Sequence, residues 1–195
     1  MKPNLIFATN NQQKVIEIRA VIGDLFDIVT LAEAGIDIDI PEPHDTLEAN
    51  ATEKSKTIFR MTGQNCFGED SGLEIEALNG EPGVKSARYA GDSRDFQQNI
   101  DKVLHNLKGI PNRKARFRTV ISLILDSKEY LFDGGCEGNI IEEQKGTKGF
   151  GYDPIFVPDG AFSSFAEMSM EEKNKYSHRK KAVAKLIDFL MHQPL

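Results

Sequence analysis

Two adjacent carboxylates, Glu69 and Asp70, stand in the glycine-flanked segment 66–72. A third, Glu42, lies upstream in an acidic, proline-bounded loop at residues 41–45. Hard oxygen ligands of this kind suit Mg²⁺, which keeps several waters and is shared with substrate phosphates. A carboxylate can also take a proton from water. The residues alone leave open the alternative of a solvated acidic turn.

A polar run separates the first predicted strand from the first predicted helix. Its residues are Thr9, Asn10, Asn11, Gln12, Gln13 and Lys14. Short polar side chains, backbone N–H donors at a helix start and one lysine favour a phosphate-binding cradle, although the glycines of a Walker loop are absent. A helix that is merely well capped would carry the same residues. The sequence leaves both interpretations open.

A glycine-punctuated run at residues 148–153 reads Lys-Gly-Phe-Gly-Tyr-Asp. Its glycines would let backbone N–H groups approach a flat, charged small molecule. Phe150 could stack on a ring, and Asp153 could read a polar edge or orient a partner. A turn that leads into a strand is the alternative for this run taken alone.

A basic segment at residues 172–181 contains Lys173, His178 and Arg179. A Ser-His-Arg triplet at a turn would present imidazole and guanidinium donors together. A solvated helix face is the alternative, because nothing local indicates which cations point inward. The sequence has no zinc-ligand spacing, GxGxxG fingerprint or Ser/His/Asp nucleophile pattern, which removes those enzyme classes.

The elements that would position these groups alternate between strand and helix. Apolar runs predict strands at residues 4–9, 26–31, 73–78, 117–125 and 130–137. Apolar faces at helical spacing predict helices at residues 14–23, 47–61, 95–107 and 170–192. Because strands and helices intermix, the pattern favours an α/β or mixed fold over a bundle or a sandwich.

Length and composition narrow the class of protein. A chain of 195 residues fits one domain and can bury a core without disulfides. The net charge of −6 disfavours nonspecific electrostatic binding of nucleic acid. For the same reason, an anionic substrate would need local cations or a metal ion. Two unpaired-looking cysteines, the short N-terminal apolar run and the absence of a stretch of ~20 apolar residues predict a cytoplasmic protein without a membrane segment.

Taken in order, these motifs resemble the inosine/xanthosine triphosphate pyrophosphatases, house-cleaning enzymes that act on deaminated purine nucleotides. The matching segments cover nearly the whole chain and are residues 7–14, 69–73, 82–91, 115–117, 149–156 and 177–179. The resemblance implies one such domain over residues 1–195, with an α/β fold, a mixed elongated sheet with flanking helices, and two lobes around a central substrate cleft. It also implies a homodimer. The loop 82–91, with exposed-looking Val84, Arg88 and Tyr89, could be the dimer interface or simply a packed turn.

The resemblance further implies roles for matching residues. The expected reaction is hydrolysis of ITP, dITP and XTP to the nucleoside monophosphate and pyrophosphate, with Mg²⁺ as cofactor and water attacking the α-phosphorus. Asp70 would bind the metal and accept the proton, Glu42 would be a second metal ligand, and Ser71 would contact substrate. The other implied nucleotide-binding residues are Thr9, Asn10, Asn11, Gln12, Gln13 and Lys14 at the phosphates, Phe150, Gly151, Tyr152, Asp153 and Lys173 around the nucleotide, and His178 and Arg179 at the base.

Two departures from the family pattern concern the carboxylates. Glu69 stands where members often have Asp, and Ala49 stands where they often have Glu. The second change loses a carboxylate, so the rest of the metal shell is left open. Two alternatives therefore stand beside the main prediction: a pyrophosphatase for another modified nucleotide, and a catalytically silent nucleotide-binding or regulatory protein.

Overall fold

A computed structural model describes residues 4–22 and 25–192. The strands in this part of the chain are β1 Asn4–Phe7, β2 Asp27–Thr30, β3 Cys66–Ile75, β4 Lys114–Leu125, β5 Lys128–Ile140 and β6 Phe156–Pro158. The α-helices are α1 Gln12–Ile22, α2 Leu47–Thr62, α3 Phe96–Asn106, α4 Met170–Lys173 and α5 His178–Met191. Short 3-10 helices span Glu76–Leu78, Gly83–Arg88 and Asp153–Ile155. The predicted stop of the first helix at Gly23 lies outside the described residues.

The strands form one mixed sheet in the order β2-β1-β3-β4-β5-β6. β1 pairs in parallel with β2 and with β3, so that Ile6 lies between Val29 and Cys66. β5 pairs with β6 in antiparallel fashion, with Asn139 opposite Val157. Helices separate most of the strands along the chain, which confirms the predicted α/β class with a mixed sheet and flanking helices.

The chain divides into two compact units. The first comprises Met1–Asp70, Thr119–Gly134 and Arg179–Leu195, and the second comprises Ser71–Arg118 and Gly135–His178. In the first unit, Phe7 stacks on Phe67 at 4.4 Å between ring centroids. In the second, Phe117, Phe156 and Phe165 form an aromatic cluster with centroids 4.7 to 6.0 Å apart. Each unit therefore has its own apolar core, and the predicted cleft stays a prediction.

β3 corrects the prediction of a turn at residues 66–72 followed by a strand at 73–78. The structure has one strand, Cys66–Ile75, and its first five residues, 66–70, are all buried. The glycines that suggested a turn instead allow close packing: a Cβ at Gly68 would lie 2.5 Å from the Ala51 carbonyl oxygen. Glu69 and Asp70 therefore lie in a buried strand, and the interpretation as a solvated acidic turn is wrong.

The predicted helix at residues 170–192 is two helices. α4 starts with a capping box in which Ser169 accepts from the Glu172 N–H and Glu172 accepts from the Ser169 N–H. The chain then turns, with the Tyr176 N–H donating to the Lys173 carbonyl, before α5 begins. The apolar spacing that predicted one helix comes only from residues 183–190, so it could not detect this break.

The loop 82–91 is more buried than the sequence indicated. Tyr89 is 7% exposed, and its hydroxyl lies 2.9 Å from a Glu81 carboxylate oxygen. Val84 and Arg88 are half-buried. Tyr89 therefore belongs to the core of its unit and is unsuited to an exposed interface. The homodimer stays a prediction.

Candidate active site

Lys54 lies between the two carboxylates that the sequence analysis assigns to a metal. Its Nζ is 3.2 Å from Asp70 Oδ1 and forms a second ion pair with Glu42. It also donates to the carbonyl oxygen of Glu69 at 3.0 Å. The Lys54 side chain is 8% exposed, so these are buried contacts. The sequence analysis missed Lys54, although a lysine on the buried face of a predicted helix was a signal for it.

Helix α2 and the loop before it bring these groups together. Thr46 caps α2 by accepting from the Ala49 N–H at 3.2 Å. Asn50 on the same helix accepts from the His44 N–H at 3.0 Å and donates to the His44 carbonyl at 3.1 Å. This pair of bonds fixes the proline-bounded loop that carries Glu42. Asn50 is therefore a second positioning residue that the sequence analysis did not assign.

Burial and neighbouring charges shift the pKa values in this cluster. Burial raises the pKa of Asp70 above its usual value, Lys54 and Lys14 oppose the rise, and Glu42 adds to it. Burial lowers the pKa of Lys54, but Asp70 and Glu42 outweigh that effect and raise it. Asp70 is thus a carboxylate of increased basicity, held beside a lysine that remains protonated.

Arg179 centres a second buried ion cluster in the first unit. Its guanidinium is 2% exposed, contacts Glu69 through Nε and Nη2 at 2.9 to 3.2 Å, and pairs with Glu17 through Nη1. Lys14 Nζ lies 3.6 Å from Glu69. Burial raises the pKa of Glu69, but the charges of Arg179 and Lys14 outweigh it and hold that pKa well below the usual range. Glu69 therefore serves as a counter-charge. The sequence analysis did not foresee Glu17, and base reading by Arg179 stays a prediction.

The polar run before α1 caps that helix. Asn11 Oδ1 accepts from the N–H groups of Gln13 at 3.0 Å and Lys14 at 3.3 Å, and Thr9 Oγ1 accepts from the Asn11 N–H at 3.1 Å. This confirms the interpretation as a capped helix and engages two of the amides that were expected to face an anion. The exposed residues of the run are Asn10, Gln12 and Gln13. Phosphate binding by this run stays a prediction.

The glycine-punctuated run folds around a buried ion pair in the second unit. Asp153 Oδ2 accepts from Lys173 Nζ at 2.7 Å and from the Phe150 N–H at 3.0 Å. Gly149 has φ +73°, and a Cβ there would lie 2.0 Å from Asp153 Oδ2, so only glycine fits. Lys173 Nζ lies 5.5 Å from the centroid of the half-buried Phe150 ring. The structure thus brings Phe150, Asp153 and Lys173 together.

The remaining predicted residues of this unit have different surroundings. Tyr152 is 4% exposed, and its hydroxyl donates to the Ser86 carbonyl at 2.7 Å, so its side chain belongs to the core. His178 is buried and stacks on Phe117 at 4.8 Å and 11°. Ser71 follows Asp70 in β3 and is half-buried. Their contacts with a nucleotide, and that of Gly151, stay predictions.

Comparison with known proteins identifies the family. The sequence model of the Ham1 family matches residues 5–189. The chain belongs to the Ham1 family. A dITP/XTP pyrophosphatase of Porphyromonas gingivalis is 50% identical over 188 residues, which is 96% of this chain and 97% of that protein. Another, of Flavobacterium psychrophilum, is 47% identical over 185 residues, 95% of this chain and 97% of that protein.

Solved Ham1 proteins share the fold. A HAM1 protein from Coxiella burnetii superposes with a TM-score of 0.89 at 34% identity, covering 98% of this chain and 100% of that one. The Staphylococcus aureus Ham1 protein superposes with a TM-score of 0.87 at 37% identity, covering 96% and 98%. These matches confirm the family and the fold that the motifs predicted.

The carboxylate oxygens of this Ham1 protein fit a Mg²⁺ ion shared with substrate. Asp70 Oδ2 is buried and has no hydrogen-bond partner within residues 4–22 and 25–192. The Lys54 ammonium forms ion pairs with both Asp70 and Glu42, which shows that one cation can contact both carboxylates. Over the same residues no group of three or more His, Cys, Asp or Glu side chains could hold a metal. Water and substrate phosphates would have to complete the shell, as is usual for Mg²⁺.

Proposed function

We propose that this protein hydrolyses dITP, ITP and XTP to the nucleoside monophosphate and pyrophosphate. The observation that carries the proposal is Asp70, a buried carboxylate with one oxygen on Lys54 and the other without a hydrogen-bond partner among the described residues. The substrate class is supported by the relatives of nearly equal length that are named dITP/XTP pyrophosphatase. Removing deaminated purines from the nucleotide pool is the expected consequence.

Asp70 is the proposed proton acceptor for water that attacks the α-phosphorus. Its pKa is raised by burial, so its ionised form is a stronger base than an exposed aspartate. Lys54 donates to Oδ1 and so fixes the orientation of the Asp70 carboxylate. When Asp70 becomes protonated, the positive charge of Lys54 remains balanced by Glu42. Pyrophosphate leaves as the phosphorus–oxygen bond to the β-phosphate breaks.

Phosphoryl transfer depends mainly on positioning and charge neutralisation. Asp70 and Glu42 would hold Mg²⁺, which when bound neutralises charge on the phosphates. Lys14 and Lys54 supply positive charge in the same unit. We propose that the polar run at residues 9–14 and Ser71 contact the substrate beside them.

We assign base selection to residues of the glycine-punctuated run, to Lys173 and to the His178-Arg179 pair. Phe150 is the proposed stacking surface, with residues 151–153 and Lys173 around the nucleotide, and His178 and Arg179 are the proposed base readers. Hypoxanthine and xanthine carry a 6-oxo acceptor where adenine has an amino donor. A donor aimed at that position would be left unpaired by ATP, which can cost ~10⁴-fold at a hydrogen-bonding site.

We further propose that the chain acts as one cytoplasmic domain and assembles as a homodimer. No helix in the described part of the chain is long and apolar enough to cross a membrane. Light scattering on the purified protein measures the oligomeric state directly, and a monomer at micromolar concentration would contradict the homodimer.

Pyrophosphate release tests the proposed function. The substrates are ITP, dITP, XTP, ATP, GTP and a set of modified pyrimidine triphosphates, each with Mg²⁺ and with EDTA. We expect rapid turnover of ITP, dITP and XTP only when Mg²⁺ is present. Preference for a pyrimidine would support a different pyrophosphatase, and binding without turnover would support a silent nucleotide-binding protein.

A further inference from the structure

Helix α2 packs directly on the backbone of β3 on one side. A Cβ at Gly68 would lie 2.7 Å from the Lys54 Cβ and 2.8 Å from the Ser55 backbone nitrogen. Two residues along the strand, Asp70 meets Lys54 Nζ at 3.2 Å. The distance between α2 and β3 therefore determines whether Lys54 reaches Asp70.

The same turn of α2 also forms hydrogen bonds with residues of β4 and β5, through the Glu129 carboxylate and three hydroxyl groups. Glu129 Oε1 accepts from Thr52 Oγ1 at 2.5 Å and from Ser122 Oγ at 2.9 Å. The Ser122 hydroxyl lies 2.7 Å from that of Ser55. Both serines are fully buried. These bonds tie α2 to the start of β5 and to β4, and the two helix residues involved flank Lys54.

The charge on Glu129 has a separate, more exposed partner. Its second oxygen pairs with Lys56 Nζ at 3.0 Å, and the Lys56 side chain is 47% exposed. Burial raises the pKa of Glu129, but the bonds from Thr52, Lys56 and Ser122 outweigh it and lower that pKa. An exposed ion pair contributes little. Of the hydroxyl contacts, the Ser55–Ser122 contact is buried, the Ser122–Glu129 bond is partly buried and the Thr52–Glu129 bond is exposed. The hydroxyl contacts that lead from Glu129 to the buried serines are thus the part of this cluster that fixes the helix.

We propose that Glu129 is a positioning residue for the reaction, acting through α2 to hold Lys54 at Asp70. It touches neither Lys54 nor Asp70 in any contact described above. Its effect is transmitted by Thr52, Ser55 and the packing on Gly68. The inference rests on the proposed function, because it assigns Lys54 a part in turnover.

A double-mutant cycle on dITP hydrolysis tests the coupling. Glu129→Ala is expected to lower kcat about tenfold while changing KM less than about threefold, because the misplaced group acts on the chemical step. In a Lys54→Ala background the same change is expected to alter kcat less than about twofold. Equal loss in both backgrounds would overturn the proposal, since Glu129 would then act independently of Lys54.

Matched variants separate positioning from charge and from folding. Glu129→Gln keeps an acceptor oxygen for both hydroxyls and is expected to restore kcat to within about threefold of wild type, as is Lys56→Ala. A Glu129→Gln enzyme as slow as Glu129→Ala would overturn the hydroxyl clamp. Should Glu129→Ala fail to fold, Ser122→Ala removes the hydroxyl that joins Glu129 to Ser55 and leaves the Thr52–Glu129 bond in place, and an unchanged kcat there would also contradict the proposal.

Hydrogen exchange gives a readout that does not depend on turnover. Amides of residues 50–58 are expected to exchange faster in Glu129→Ala than in wild type and at the wild-type rate in Lys56→Ala. Unchanged exchange in Glu129→Ala would refute the clamp. A wild-type protein without dITP hydrolysis but with this exchange pattern would instead refute the proposed function.

Discussion

Asp70 and Glu69 are neighbours in β3, yet their surroundings shift their pKa values in opposite directions. Burial dominates at Asp70 and raises the pKa, whereas Arg179 and Lys14 outweigh burial at Glu69 and lower it. Asp70 also keeps an oxygen without a hydrogen-bond partner among the described residues. A carboxylate whose pKa is raised and a carboxylate that is held ionised thus stand side by side. The identity of a carboxylate is less informative here than its partners.

Asp70→Asn tests the reactive carboxylate at the scale of one residue. Asparagine keeps the size and a contact with Lys54 but accepts no proton, so kcat for dITP is expected to fall about 100-fold or more. Steady-state kinetics at saturating Mg²⁺ and a thermal unfolding curve measure the loss and the fold. Asp101→Asn on exposed α3 is the control. Retention of more than about a tenth of the rate, ~1.4 kcal/mol of barrier, would show that Asp70 is not the central base.

Arg179→Ala tests the buried ion cluster. Truncation leaves Glu69 and Glu17 buried without their main partner, which is expected to cost about 3–5 kcal/mol of unfolding free energy. Denaturant unfolding measures this loss. Arg179→Lys keeps the charge but not the forked contact, so an intermediate loss is expected. Arg60→Ala on the surface of α2 is the control.

Arg179→Lys also tests the predicted contact of Arg179 with the base. A lower ratio of kcat/KM for ITP over ATP in Arg179→Lys would support base reading. Equal loss for both substrates would leave the guanidinium with an ion-pair role alone. The pair of readouts separates specificity from stability, because the ratio cancels any fraction of unfolded enzyme.

At the scale of elements, the two-residue period of β3 distributes its side chains between helices. Cys66, Gly68 and Asp70 share the face that contacts α2, where the Cys66 thiol donates to the Ser55 carbonyl at 3.2 Å. Phe67 and Glu69 share the other face. Phe67 belongs to a core cluster with residues of α1 and α5, and Glu69 binds Arg179 at the start of α5. One strand therefore supplies both the proposed base, Asp70, and its neighbouring counter-charge, Glu69.

Local signals explain which elements the sequence could predict. α2 and α3 were predicted to within a residue or two, and both begin at a local cap, because Thr46 and Asp95 each accept from the N–H three residues later. The first part of β3, residues 66–72, was missed because the burial of Glu69 depends on Arg179, 110 residues later. The turn between β4 and β5 is also tighter than predicted, since Asp126 and Ser127 alone, both at positive φ, make it. Sequence patterns predict structure from residues that are close along the chain. The burial and ion pairs of the site depend on residues that are far apart in sequence.

Gly68→Ala tests the contact between α2 and β3. The added methyl meets backbone atoms of α2 that cannot turn away, so it is expected to lower the unfolding free energy by about 1–3 kcal/mol. It should also lower kcat, because α2 carries Lys54. Gly135→Ala is a matched strand control, since its Cβ would come no closer than 3.9 Å to the Phe117 carbonyl oxygen. Equal stability and activity in the two variants would contradict the close-packing argument.

At the scale of the whole molecule, local charge differs from net charge. The chain carries −6 and would repel a triphosphate at long range. Lys14, Lys54 and Arg179 nevertheless gather in the first unit, each facing a carboxylate. The positive charges of these three side chains therefore nearly balance the negative charges of the carboxylates around them before substrate binds. We therefore expect a further cation, Mg²⁺, to balance the charge of the phosphates once substrate binds.

Ligand-linked stability tests this charge balance without catalysis. An ITP analogue with an imido bridge between the α- and β-phosphates resists cleavage there. In the presence of Mg²⁺, the analogue at about 100 times its own Kd is expected to add about 2.7 kcal/mol to the unfolding free energy, or about 5–10 °C in Tm. The analogue alone should add far less, because the anionic chain then meets uncompensated phosphates. The matching ATP analogue is the control for the base. Equal stabilisation with and without Mg²⁺ would show that the cations of the protein suffice, and equal stabilisation by both analogues would show that the 6-oxo group is not read in the bound ground state.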